Sequence, residues 1–148
     1  MKKISILIPA YNEEAVLDTL YDRLSTLASN NKAYDFEFLF VNDGSRDKTL
    51  KIIKDYAEAD ARVSYINLSR NFGKEIAMIA GLDHVTGDAT VIIDADLQDP
   101  PELIPEMIKH WEDGYDDVYA KRTSRSGESW FKKLTSKSFS FILEKISQ

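Results

Sequence analysis

Short apolar runs alternate with helical patterns along the chain. Four runs have the length and composition of buried strands, and they cover residues 4–9, 36–41, 63–68 and 89–94, with a shorter fifth candidate at 118–120. Between these runs, apolar residues recur at helical spacing over 16–27, 45–57, 74–85 and 101–111. Ser45 is a natural N-cap for the second helix, and Pro101 suits the first turn of the fourth. Such alternation predicts a single α/β domain, a doubly wound and mostly parallel sheet with helices on both faces.

Polar clusters follow each of the four predicted strands. They read Tyr-Asn-Glu-Glu at 11–14, Asn-Asp-Gly-Ser at 42–45, Ser-Arg-Asn-Phe-Gly-Lys at 69–74 and Asp-Ala-Asp from 94. In doubly wound sheets, ligands bind at the carboxyl ends of the strands. Four polar strand ends together therefore predict a binding site at that edge.

Asp94 and Asp96 carry the clearest chemistry of the sequence. On an extended chain the two carboxylates point to the same side and Ala95 points away. Two like charges held so close repel unless a cation lies between them or one is protonated. A hard divalent ion, Mg²⁺ or Mn²⁺, commonly joins protein carboxylates to substrate phosphates. A pair of solvated turn aspartates is the alternative interpretation.

The other candidate residues each allow two interpretations. Glu13 could favour a helix N-terminus or face a ligand, and Tyr11 could be a core aromatic or a stacking face for a nucleobase. Asp43 precedes a glycine, as in many turns, but at a strand end it could accept a hydrogen bond from a uracil or guanine ring. Lys74 could be a solvated helix residue or a partner for Glu75 or for phosphate.

Composition excludes several functional classes. The chain of 148 residues carries a net charge of −6 and contains no cysteine, so disulfides and thiolate metal sites are absent. Residues 1–120 hold 12 basic against 23 acidic side chains, and residues 121–148 hold 7 against 2. The acidic body argues against nucleic-acid binding. No apolar run reaches the 18 or so residues of a membrane span, and the N-terminus does not read as a signal peptide, so a cytoplasmic location is expected.

With these motifs in place, the chain resembles family 2 glycosyltransferases of the GT-A fold. The motifs are Ile-Pro-Ala-Tyr-Asn-Glu-Glu, Val-Asn-Asp-Gly-Ser, Ser-Arg-Asn-Phe-Gly-Lys and Asp-Ala-Asp-Leu-Gln-Asp-Pro-Pro-Glu. The last two are more specific, and they point to the polyprenyl-phosphate sugar transferases, namely dolichol-phosphate mannose synthases and undecaprenyl-phosphate glucosyltransferases. The resemblance implies a Rossmann-like core over residues 1–120 that binds a nucleotide sugar.

The resemblance also implies residue roles. The nucleoside would be surrounded by Pro9, Tyr11, Glu13, Val41 and Asp43. Asp94 and Ala95 would lie along the ribose and diphosphate, Asp96 and Gln98 would help Asp94 hold the metal ion, and Arg122 would face the diphosphate or the acceptor phosphate. The implied reaction moves a hexose from a UDP-sugar or GDP-mannose to a polyprenyl phosphate with inversion. The base of related enzymes lies in a later acidic motif, so it is expected beyond Gln148.

The basic segment 121–148 mixes Lys and Arg with aromatic and aliphatic residues. This composition favours an amphipathic helix at the cytoplasmic face of an anionic membrane. Packing against the domain or a partner subunit is the alternative, and an exposed apolar face would also favour self-association into a homo-oligomer. Two other functions remain open, a family 2 enzyme with a soluble saccharide acceptor and a nucleotide-sugar-binding module without turnover.

Overall fold

A computed structural model describes residues 1–98 and 100–114, together with the backbone of residues 119–122, 129–132 and 143–145. Five strands form one sheet in the order β3-β2-β1-β4-β7. They are β1 (Lys2–Ala10), β2 (Tyr34–Asn42), β3 (Val63–Asn67), β4 (Ala89–Ile92) and β7 (Leu143–Lys145). The first four run parallel, and β7 pairs antiparallel with β4. The predicted α/β class and mostly parallel sheet are confirmed.

Four α-helices connect or follow the parallel strands. They are α1 (Leu17–Asn30), α2 (Thr49–Ala59), α3 (Lys74–Leu82) and α4 (Ile104–Glu112). A 3₁₀ turn at Pro101–Leu103 leads into α4, so Pro101 starts that turn rather than the helix itself. The prediction that Ser45 caps α2 is wrong, because α2 begins four residues later and its N-cap is Lys48. The Ser45 hydroxyl instead accepts a hydrogen bond from the Asn12 N–H at 2.9 Å.

The sheet has an apolar layer on each face, as predicted. Alternate residues of β1 point to opposite sides, so Ile4, Ile6 and Ile8 join the larger cluster and Leu7 joins the smaller. The larger cluster includes the buried faces of α1 and α4 and Ile53 of α2. The smaller one includes Ala77 of α3. Both faces of the parallel strands are therefore covered, which explains their nearly continuous apolar sequence.

The carboxyl edge of the sheet is stepped between β1 and β4. The last residue of β4, Ile92, pairs with Leu7, whereas β1 continues three residues further to Ala10 and pairs there with Asn42 of β2. At about 3.3 Å per residue, the step is about 10 Å deep. It lies where the chain leaves the β1-β2-β3 half of the sheet for β4, the position at which such sheets bind ligands.

The described part of the basic segment is extended rather than helical. Strand β5 (Tyr119–Arg122) pairs antiparallel with β6 (Ser129–Lys132) in a separate two-stranded sheet, and β7 occupies the outer edge of β4. The helix expected over 121–148 is wrong for these residues, and the rest of that call lies outside the described residues. Aromatic residues favour strands, and the β4 edge offers backbone groups that only a strand can pair.

Membrane spans were expected to be absent. Among the residues that the structure describes, no helix combines the length and hydropathy needed to cross a bilayer.

Candidate functional site

A cleft of about 180 Å³ opens at the stepped edge of the sheet. Its lining comes from the ends of β1, β2 and β4 and the start of α3, namely Pro9, Ala10, Tyr11, Glu13, Asp43, Lys74, Asp94, Ala95 and Asp96. Seven of the residues predicted for the nucleotide sugar are in this set. Each of the four polar clusters that follow the predicted strands therefore contributes at least one residue to this cavity.

Asp94 and Asp96 lie in the loop just beyond β4. Both line the cleft, Asp94 is partly buried, Asp96 is exposed, and Ala95 between them is 1% exposed. The Lys74 ammonium donates a hydrogen bond to Asp94 Oδ2 at 2.7 Å, and Asp96 Oδ1 accepts one from the Gln98 N–H at 3.0 Å. The sequence suggested solvent, Glu75 or phosphate as partners of Lys74. In the structure, its ammonium group instead contacts Asp94.

Excess negative charge is concentrated in this cleft. Partial burial is the main cause of a raised pKa for Glu13, and repulsion from Asp96, Asp47 and Asp94 raises it further. The Lys74 side chain, which contacts Asp94, is 54% exposed, so water screens its positive charge. The cleft is therefore electrostatically suited to receive a further cation.

Asp43 is a buried anchor for the loop between β3 and α3. The residue is 3% exposed, and its carboxylate accepts hydrogen bonds from the Phe72 N–H at 2.8 Å, the Gly73 N–H at 3.1 Å and Asn71 Nδ2 at 2.9 Å. A carboxylate offers about four lone-pair sites. Asp43 thus spends most of its accepting capacity inside the protein, while still forming part of the cleft wall.

The loop after β1 is held by the loop after β2. The Glu13 N–H donates to Thr49 Oγ1 at 2.8 Å, and the Arg46 N–H donates back to Asn12 Oδ1 at 2.8 Å. A further bond joins Glu14 to the same loop, because the Lys48 N–H donates to Glu14 Oε1 at 2.8 Å. These bonds position Tyr11 and Glu13 without any ligand.

In the described part of the chain, two residues other than glycine adopt positive φ angles, and each directly follows a cleft residue. Asn12 follows Tyr11 with φ 52°, and Leu97 follows Asp96 with φ 65°. Asparagine tolerates this conformation, but for leucine it costs roughly 1–2 kcal/mol. Backbone strain of this kind concentrates at functional sites.

Tyr11 lines both the cleft and a second, larger groove. The groove, of about 440 Å³, lies against the ends of β2 and β3, and its lining includes Tyr11, Arg46 and Arg70. Tyr11 is 43% exposed, so the interpretation as a core aromatic is wrong. Its ring is available for stacking.

Two predicted residues, Val41 and Gln98, do not line the cleft, and for a third, Arg122, only the backbone is described. Val41 is fully buried against α3, in the cluster with Leu39 and Ala77. The exposed Gln98 is not part of the cleft lining and contacts Asp96 through its backbone. Arg122 lies on β5 opposite Ser129, and its side chain is outside the described residues.

The cleft fits a divalent ion whose coordination is completed by a ligand. Among the described residues, no group of three or more His, Cys, Asp or Glu is arranged to hold a metal ion alone. Asp94 and Asp96 nevertheless offer carboxylate oxygens to one cavity, where the charge imbalance disfavours leaving them uncompensated. Mg²⁺ is often held by one or two carboxylates plus substrate phosphates. The donor set therefore suits Mg²⁺ or Mn²⁺ bound together with a diphosphate.

Sequence reasoning did not identify Lys74 as the partner of Asp94, nor Thr49 and Asp47 as supports for the first loop. These contacts join residues on different elements, separated by 20 to 36 positions. A signal existed only for Lys74, since its loop was among the polar strand ends.

An α/β fold with an acidic cleft at the switch point of its sheet defines the class as Rossmann-like, nucleotide-binding proteins. The sequence family described as glycosyl transferase family 2 matches residues 5–148, and the chain belongs to that family.

Curated relatives extend this result. The chain is 51% identical over 139 residues to the uncharacterized glycosyltransferase YkcC of Bacillus subtilis, covering 94% of this chain and 43% of that protein. It is 45% identical over 145 residues to the prophage bactoprenol glucosyl transferase homolog of Escherichia coli, covering 98% and 47%. The chain thus spans about half the length of the curated relatives it matches.

Solved structures share the fold. Glucosyl-3-phosphoglycerate synthase from Mycobacterium tuberculosis, in complex with UDP, matches with a TM-score of 0.61 at 25% identity, over 79% of this chain and 43% of that one. The mannosyltransferase PcManGT from Pyrobaculum calidifontis, in complex with GDP-Man and Mn²⁺, matches with a TM-score of 0.57 at 25% identity, over 64% and 28%. The predicted GT-A architecture is confirmed by these neighbours.

Proposed function

We propose that the protein containing this chain is a glycosyltransferase that moves a hexose from a nucleotide sugar to a polyprenyl phosphate, with inversion at the anomeric carbon. The observation that carries this proposal is the pair Asp94 and Asp96 in one cleft with Tyr11 and Lys74. Relatives named bactoprenol glucosyl transferases support the lipid phosphate as acceptor. The donor is a UDP-sugar or GDP-mannose, because neighbouring structures hold UDP or GDP-Man.

The cleft residues divide the work of binding the donor. Tyr11 offers a half-exposed ring on which a nucleobase stacks. Asp94 and Asp96 would hold Mg²⁺ or Mn²⁺ against the diphosphate. When bound, the ion acts as a Lewis acid that stabilises the negative charge on the departing nucleotide. Asp43, whose carboxylate is mostly occupied, keeps the β3–α3 loop in place and leaves about one lone pair for a ring N–H.

An acceptor that is already a phosphate anion places little demand on a general base. The described residues of the cleft therefore need to bind and orient the donor rather than remove a proton. The proposal also includes two expectations from the sequence. Arg122 faces a phosphate group, and the basic segment 121–148 lies at a membrane surface on the cytoplasmic side.

A nucleotide-binding panel tests the donor half of the proposal. UDP, GDP and their sugars are added with Mn²⁺ or with EDTA, and thermal unfolding is followed. A site occupied at 100 times Kd adds about 2.7 kcal/mol, which corresponds to about 5–10 °C for a chain of this size. We expect nucleotides to raise the unfolding temperature only when Mn²⁺ is present. In Asp96→Ala, we expect the nucleotide shift to be the same with Mn²⁺ and with EDTA.

The matched control is Asp35→Ala, which removes an exposed aspartate near the start of β2, at the opposite edge of the sheet. This variant should bind as the wild type does. A nucleotide shift that is the same with EDTA, and the same in Asp96→Ala, would contradict the proposal.

A soluble phosphorylated acceptor is the second candidate. It is favoured by the likeness to a solved structure named glucosyl-3-phosphoglycerate synthase, a name that refers to a phosphorylated compound rather than a lipid. Sugar transfer by the longer protein, assayed with undecaprenyl phosphate in detergent and with water-soluble phosphates, separates the two. Turnover with the soluble phosphates alone would favour the second candidate.

A further inference from the structure

Lys74 occupies the place in the cleft where a cation is needed. Its Nζ lies 2.7 Å from Asp94 Oδ2, and Asp94 is one of the two carboxylates offered to a metal ion. Together with Glu13 and Asp96, Asp94 forms a group of carboxylates that repel one another. The lysine therefore offsets part of the negative charge of the cleft.

The contact is built so that it can be exchanged. The side chains of Lys74 and Asp94 are 54% and 21% exposed, and ion pairs with a partner as exposed as Lys74 stabilise proteins only weakly. Lysine also has a flexible four-carbon stem that lets its charge move while the backbone stays in place.

The backbone under Lys74 is fixed. Asp43 holds the N–H groups of Phe72 and Gly73, directly before Lys74, and α3 begins at Lys74 itself. The flexible stem therefore lets the ammonium group move while the loop stays in place.

Resting on the proposed function, we infer that Lys74 is an exchangeable counter-ion. It holds Asp94 while the cleft is empty, yields that carboxylate to the divalent ion, and then binds the diphosphate of the donor. Lysine is a common phosphate ligand in proteins and acts as a point charge. Lys74 thus competes with a metal ion that binds without nucleotide, but it strengthens the binding of the nucleotide itself.

This dual role predicts effects of opposite sign in one variant. Lys74→Met keeps the length of the stem and removes the charge. Its affinity for Mn²⁺ alone, measured by the loss of the free-ion electron paramagnetic resonance signal, should rise about threefold. Its affinity for UDP or GDP at saturating Mn²⁺, measured by calorimetry, should fall about tenfold.

Two further variants make the test specific. Lys74→Arg keeps the charge and should remain close to wild type in both measurements. Lys51→Met removes a lysine whose Nζ lies 3.1 Å from Asp55 on the exposed face of α2, so it makes the same charge change away from the cleft and should alter neither affinity.

Three outcomes are distinguishable. If wild type binds both Mn²⁺ and nucleotide and Lys74→Met shifts the two affinities in opposite directions, the inference is supported. If wild type binds both but the variant lowers both affinities or changes neither, the inference about Lys74 is overturned and the proposed function stands. If wild type binds neither Mn²⁺ nor nucleotide, both are overturned.

Discussion

Replacing Asp43 tests the claim that one buried carboxylate holds the loop that carries Lys74. In Asp43→Ala, the N–H groups of Phe72 and Gly73 lose their acceptor, and the Asn71 amide keeps only its hydrogen bond to the backbone oxygen of residue 43. An unsatisfied buried donor costs about 1–3 kcal/mol. Because Phe72 is exposed and water can reach part of the loop, the low end applies, and the total loss is about 2–3 kcal/mol.

Two measurements locate this loss. Urea unfolding gives its global part, and amide hydrogen exchange at Phe72 and Gly73 gives the free energy of local opening. A loss of 2–3 kcal/mol corresponds to exchange that is about 30- to 150-fold faster. Asp43→Asn retains one carbonyl oxygen, so we expect roughly half of the effect.

The control is Asp83→Ala, at an exposed aspartate directly after α3. It should change stability by less than about 0.5 kcal/mol and leave the exchange of both amides unaltered. Unchanged exchange at Phe72 and Gly73 in Asp43→Ala, with unchanged stability, would refute the anchoring role.

Two other predictions concern parts of the fold remote from the cleft. In Gly87→Ala, the new Cβ would lie 2.6 Å from Ser5 Oγ and 2.7 Å from Ser5 N. Because the backbone cannot move aside as a side chain does, we expect the free energy of unfolding, measured in urea, to fall by more than about 2 kcal/mol. A fall of less than about 0.5 kcal/mol would contradict this packing. Hydrogen bonds from Arg62, and after them one from Tyr21, lower the pKa of Asp60, so its contribution to stability is present above the unfolded pKa of about 4 and is lost as the pH falls below it. Asp60→Asn should therefore flatten the decline of stability at acid pH, and an identical pH profile in the variant would count against the interaction.

Much of the core and most of the cleft lining follow from local sequence. The isoleucines of β1 and the phenylalanines of β2 specify buried strands by their own spacing, and both strands formed slightly beyond the predicted limits. Tyr11, Glu13 and Asp43 were identified because parallel strands bring their ends to one edge. The end of β4 was placed two residues too late, since Ile93 remains buried after the strand has ended.

Contacts between distant elements were not readable. No residue near Lys74 in the sequence identifies Asp94 as its partner. The three hydrogen bonds to the Asp43 side chain likewise require β3 to be paired with β2. The helix predicted for the basic segment was wrong for another reason. Its mixture of aromatic and charged residues satisfies a helix or a strand equally well, and pairing with β4 and between β5 and β6 decided in favour of strands.

The unequal lengths of β1 and β4 have a consequence for how electrostatic forces act in this protein. Were β4 as long as its neighbour, the acidic loop would emerge level with the rim, and surrounding solvent would weaken its attraction for ions. Because β4 ends three residues before β1 does, Asp94 emerges only partly exposed, although Asp96 beyond it is exposed. A one-residue insertion in β4 would raise the loop by about 3.3 Å and also reverse which face its side chains address. Geometry of the scaffold, as much as the choice of aspartate, thus determines how strongly the site can hold a cation.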